Sequence, residues 1–254
     1  MSNACLNGRY QVLDLLGSGG EARVYRARDE TTGELVAVRL AREHEMTQQI
    51  PDPLPPFHPG WVRFRDAGVA EPHGFYQVYE LLEGETLEAQ VERGPLAAAD
   101  FLELIGQSLD AVEALHAGGW VHGDLNADNF ILTAEGRRWK LLELPFLRFI
   151  PAKPHSPLFG NMWTLAPEQI DGGAATVRAD LYALGCLFYA AASGKFPHAG
   201  DGPHIAVERL LYPARPVAEL APGLDPNRAR GIMQLLKRKP EDRPESVAAA
   251  RTLL

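Results

Sequence analysis

Between Trp120 and Leu132 the chain reads WVHGDLNADNFIL, and no other stretch limits its possible folds so strongly. Asp124 and Asn129 stand five residues apart in a turn-forming segment flanked by two apolar runs, so this polar loop has to be pinned between buried elements. The residue types suit phosphoryl transfer. An Asp carboxylate can orient or deprotonate an attacking hydroxyl, and an Asn oxygen can ligand Mg2+ carried on a nucleotide phosphate. On these residues alone, an Asp/Asn-rich turn between two strands is an equal reading.

The flanking segments narrow the choice. From Tyr10, YQVLDLLGSGGEARVYRARDETTGELVAVRLA alternates apolar residues around two turns and predicts three antiparallel strands. The first turn, Gly17-Ser18-Gly19-Gly20, lets a backbone approach phosphates closely. Five prolines between Pro51 and Pro59 forbid a helix interior and leave at most about three turns between Leu40 and Ile50. Gly74 to Leu87 reads as a strand, a short linker and a helix start. Asp100 to His116 has helical apolar spacing, with Asp100 as N-cap and Gly118-Gly119 beyond its end. Ala179 to Ala192 is apolar, carries Asp180 and is too short to span a bilayer, which predicts a buried helix.

A chain of 254 residues with 46% apolar content can bury a full core in one large domain or two lobes. Its net charge of -8 argues against nucleic acid and anionic membrane surfaces as partners. Cys5 and Cys186 lie far apart and have no metal-ligand spacing, which fits a reducing compartment. With no basic segment followed by an apolar one at the amino terminus, the expected location is the cytoplasm, or the cytoplasmic part of a longer membrane protein.

Taken in order, these segments resemble the protein kinase superfamily, of the bacterial Ser/Thr type, from Tyr10 to about Leu253. The resemblance implies an α+β, bilobal kinase fold in a single domain, with a small mainly-β upper lobe over about 9–82 and a larger helical lower lobe over about 83–254. It places Gly17, Gly19, Val24, Ala37, Arg39, Glu80, Leu82 and Ile131 around a nucleotide, with Tyr79 at the rear of its pocket. It makes Asp124 and Asn129 catalytic, and assigns Asn129 and Glu143 to a metal. The expected cofactor is ATP with Mg2+ or Mn2+, or none. Ala166-Pro167-Glu168, Asp180 and Arg243 match scaffold positions, with Glu168 and Arg243 implied as a buried ion pair.

Departures from the family pattern fall on the transfer groups. Arg39 replaces the strand lysine, and a planar fork does not reproduce an ammonium. Ala22 occupies the third glycine position and Glu21 adds a negative charge. The pairing helix glutamate is expected near Gln48 or Gln49, with Glu43 and Glu45 out of register. Gly123 and Asn126 replace the loop's arginine and lysine, Asn161 replaces a threonine, and Glu143-Leu144-Pro145 replaces Asp-Phe-Gly. Without that arginine, a phosphate on Ser156 or Thr164 has no receiver. The first reading is therefore a pseudokinase that binds a protein partner, with or without weak nucleotide binding. The alternative is an active, atypical Ser/Thr kinase. His-Gly-Asp also resembles small-molecule phosphotransferases, a third and weaker option.

Overall fold

The computed structural model describes residues 4–18, 22–41, 57–144, 162–198, 200 and 203–254. Gly19, Glu21, the shortened helix before Ile50, Pro145, Ser156 and Asn161 lie outside them. The chain divides into two compact units, one containing residues 1–57 and 61–83, the other residues 58–60, 84–145 and 150–254.

The first unit is an antiparallel sheet of β1 (Cys5–Leu6), β2 (Tyr10–Ser18), β3 (Ala22–Asp29), β4 (Leu35–Ala41), β5 (Phe64–Ala70) and β6 (Gly74–Glu80), in the order β1-β2-β3-β4-β6-β5. The three strands expected after Tyr10 are β2, β3 and β4. Strand alternation divides the side chains between two faces. Val36, Val38 and Leu40 point into a core with Tyr25, Tyr76 and Val78. Ala37 and Arg39 fall on the opposite face, where register sets Arg39 between Val24 and Gln77, and Ala37 beside Tyr79. One side of the sheet therefore holds the unit together, while the other carries the residues expected around a nucleotide.

The second unit is mainly helical. A small antiparallel sheet of β7 (Gly84–Thr86), β8 (Phe130–Thr133) and β9 (Trp139–Leu141) carries the polar loop immediately before β8. Around it pack α1 (Leu87–Glu92), α2 (Ala98–Ala117), α3 (Pro167–Ile170), α4 (Val177–Ser193), α5 (Pro203–Leu211), α6 (Pro226–Leu235) and α7 (Val247–Arg251). Helix α4 is buried along almost its whole length. Thr176 caps its start by accepting the Ala179 N–H at 3.2 Å, and Gly194 ends it in the left-handed region at φ 71°. A Cβ added at Gly185 would meet the Leu235 Cβ at 2.8 Å, so the glycine admits α6 to close contact with α4.

Asp100 is not the N-cap of α2. Ala97 is, because Ala98 and Ala99 are strong helix formers that carry the helix back past Asp100, whose carboxylate instead bonds Arg137 at 2.5 Å. The ion pair expected at the base of this unit is present. Arg243 donates to both Glu168 oxygens at 2.7 and 2.8 Å, and to the carbonyls of Arg178, Lys237 and Arg238. The Arg243 guanidinium also lies over the Tyr182 ring at 4.7 Å. Among the described residues no helix is long and apolar enough to cross a membrane.

Candidate active site

In the first unit the sheet brings Val24, Ala37 and Arg39 onto one face with Gln77 and Tyr79. Arg39 is buried, and its Nη1 donates to the Gln77 Oε1 at 3.4 Å. Across the strand pair the carboxamide of Gln77 is thus one partner of the Arg39 guanidinium. Gly17 pairs with Val24, and a Cβ there would meet nothing within 4 Å. Tyr79 packs edge-on against Phe64 with centroids 5.9 Å apart. At the end of β6, the Glu80 N–H donates to the Arg63 carbonyl and its Oε1 accepts the Arg63 N–H, both at 2.9 Å. The backbone N–H of Glu80, a residue expected around a nucleotide, is thus engaged within the unit. Leu82 follows, half-buried.

In the second unit the polar loop is tied down from several directions. Asp180, buried at the start of α4, accepts the His122 N–H on Oδ2 and the Gly123 N–H on Oδ1, each at 2.8 Å. The His116 Nε2 lies 2.8 Å from the same Oδ2. Asn126 caps the single 3-10 turn at Ala127–Asn129 by accepting the Asp128 and Asn129 N–H groups at 3.1 and 3.2 Å. The Nδ2 atoms of Asn126 and Asn129 both donate to the Asp124 carbonyl, at 3.2 and 3.1 Å. Because its nitrogen is spent on Asp124, buried Asn129 has Oδ1 left as an acceptor; among the described residues it receives no hydrogen bond. Ile131 follows, buried in β8 between Thr86 and Lys140.

Glu143 is brought to this loop by backbone pairing. The Leu142 N–H donates to the Asn129 carbonyl at 2.7 Å, and the next residue, Glu143, adopts φ 49°. A side-chain-bearing residue in that region costs on the order of 1 kcal/mol and marks a position where the surroundings dictate the backbone. Asn129 and Glu143 are hard oxygen donors, as Mg2+ or Mn2+ requires, and two protein ligands suffice where phosphates and water supply the others. No group of three or more His, Cys, Asp and Glu able to hold a metal occurs among the described residues.

Sequence reasoning missed the acidic surroundings of this loop. Helix α1 presents Glu88 and Glu92 one turn apart. Burial raises the Glu88 carboxyl above its ordinary value, with Asp128 and Glu92 adding to the shift. Asp128 is raised by burial first, then by the charges of Glu92 and Glu143. Glu88, Glu92 and Asp128 therefore feel one another beside Asn129, and Asp128 also feels Glu143. The i,i+4 spacing of Glu88 and Glu92 was visible in the sequence, but their approach to Asp128 arises only from the fold. His116 was missed too, closing a helix face that is apolar apart from Ser108.

The protein kinase domain family matches residues 10–251. The chain is 31% identical over 242 residues to serine/threonine-protein kinase PknA of Mycobacterium tuberculosis, an alignment covering 87% of this chain and 55% of that relative, or about half its length. Two solved structures share the fold. Rad53 1-466 in complex with AMP-PNP matches with a TM-score of 0.81 at 23% identity, covering 98% of this chain and 66% of that one. The Mycobacterium tuberculosis PknI kinase domain matches with a TM-score of 0.76 at 20% identity, covering 100% of this chain and 99% of that one.

Proposed function

Because this chain belongs to the protein kinase domain family, we propose that it is a catalytically impaired Ser/Thr-kinase-like domain, a binding module for a protein partner in the cytoplasm. The observation that carries this reading is Arg39. Stabilising a transferring phosphoryl group needs a cation aimed at the phosphates. The guanidinium standing at the lysine position is buried and bonded to Gln77, a cross-strand role in the sheet. Gly123 and Asn126 remove two further side chains of the family's loop, and Asp128 adds negative charge beside Asn129.

A second reading, an active atypical kinase, is favoured by the loop itself. Asp124 sits on a backbone fixed by Asp180, while the Asn129 Oδ1 and Glu143 supply metal ligands. A Mg2+ or Mn2+ ion held there would neutralise charge on the β- and γ-phosphates of ATP. Asp124 would orient the acceptor hydroxyl, and Ile131 would give adenine an apolar floor.

A thermal-shift titration with ATP and ADP, with and without Mg2+ and Mn2+, separates the readings. Ligand at a hundred times its Kd adds about 2.7 kcal/mol of stability. The impaired-module reading expects no metal-dependent rise at millimolar nucleotide and no phosphate incorporated into protein. A rise abolished in an Asp124→Ala, Glu143→Ala double variant, together with transfer, would establish the enzyme instead.

A further inference from the structure

Gly123 is held on both sides of its Cα. Its N–H goes to Asp180 on α4, and its carbonyl accepts the Gln169 Nε2 at 3.0 Å from the Ala-Pro-Glu turn. Gln169 is doubly engaged, because its Oε1 accepts the Ala166 N–H at 3.2 Å and so ties the start of α3. Gly123 itself sits at φ 77°, where a Cβ would meet the Ala175 Cβ at 2.9 Å. No arginine fits there without a shift, so a charge-based link through a phosphorylated residue is sterically opposed as well as missing from the sequence.

The segment preceding Gln169 is fixed by a second side chain. Buried Arg209 on α5 donates to the Trp163 carbonyl at 2.8 Å and to the Leu165 carbonyl. Thr164 between them is buried at 2% exposure, closed to a modifying enzyme. Gly123, Asp124, Thr164, Leu165, Gln169 and Asp180 surround a gap with no room for a water molecule. The contacts across it are therefore direct.

We propose that Gln169 is a positioning residue, an uncharged clamp that fixes the Asp124 loop against the Ala-Pro-Glu turn without any phosphate. Because the clamp serves the site described above, it stands on the reading of Trp120–Leu132 as that site's loop, though not on whether the site turns over. The loop and residues 163–170 should form one pre-ordered surface in the unphosphorylated protein.

Gln169→Glu tests the clamp. The substitution keeps an oxygen for the Ala166 N–H and removes the donor to the Gly123 carbonyl, so the turn should stay capped while the loop is released. Hydrogen–deuterium exchange should become roughly tenfold faster over residues 122–126, more than forty residues upstream, with exchange across the sheet of the first unit unchanged. Phosphatase treatment of the wild-type chain should leave exchange in both segments as it was. Should Gln169→Glu fail to fold, Gln169→Met fills a similar volume without a donor and should release the same amides. Wild-type exchange over 122–126 in either folded variant would overturn the proposal, as would acceleration by phosphatase alone. If the chain transfers phosphate, Gln169→Glu should lower kcat and leave the KM for ATP in place. Absence of transfer would leave the exchange result standing.

Discussion

At the residue scale, two groups give the protein opposite responses to pH. Glu88 has a raised carboxyl, caused by burial and by Asp128 and Glu92, and among the described residues its buried Oε2 accepts no hydrogen bond. The folded state holds the Glu88 proton more tightly than the unfolded chain, so Glu88 favours folding at low pH and loses that contribution as pH rises above the ordinary carboxylate range. Glu88→Gln should raise the stability of the protein at pH 7.5 and leave it unchanged near pH 4. Urea midpoints at both pH values measure this. His198 acts the other way. Burial, reinforced by Arg209, lowers its pKa to about 4, so protonation favours the unfolded chain as pH falls from the ordinary histidine range toward that value. His198→Gln should therefore flatten the acid limb of the stability curve between about pH 6.5 and 4, removing on the order of 2 kcal/mol of pH dependence. An unchanged acid limb would mean that this imidazole protonates freely in the folded state.

At the scale of elements, the lower unit is organised by bonds between helices that are distant in sequence. Glu168 and Arg243 join α3 to the segment before α7, and Arg243 lies wholly out of solvent. Glu168→Ala would leave a buried guanidinium held by carbonyls alone and should cost about 3–5 kcal/mol, read from urea unfolding. A loss below about 1 kcal/mol would show that Lys237, Arg238 and Arg178 satisfy the cation without it. This pair was legible from motif order, as were the strands β2 to β4, whose alternation is local. The start of α2 was misread because alanine propensity outweighed a capping residue placed by pattern. Gln169 and His116 were not legible at all. Their partners lie 46 and 64 residues away, and nothing in their immediate neighbours distinguishes them from surface polar residues. Likewise, Arg39 could be identified as a replacement from the sequence, but its bond to Gln77 depends on strand register.

At the scale of the whole molecule, each unit owns a core, and the two cores are built differently. Val38 is fully buried in a sheet core composed of residues from β1 to β6, while Leu184 is fully buried on the central helix of the other unit. Cutting a cavity costs about 2 kcal/mol for Val38→Ala and about 3 kcal/mol for Leu184→Ala, paid first by the amides that share the cavity wall. The tryptophans allow the units to be followed separately, since Trp61 falls in the first unit and Trp120, Trp139 and Trp163 in the second. Val38→Ala should accelerate hydrogen exchange across β2, β3, β4 and β6 and leave most of the tryptophan fluorescence transition where it was. Leu184→Ala should do the reverse, lowering the fluorescence midpoint with little effect on sheet amides. If instead either substitution moves both signals equally, the chain unfolds as one cooperative body. A ligand that stabilised only one signal would then have to be binding an unfolding intermediate, and the thermal-shift assay would need a second probe. With separate transitions, the signal raised by a metal–nucleotide complex would identify which unit supplies the binding energy, the sheet face around Arg39 or the loop around Asn129.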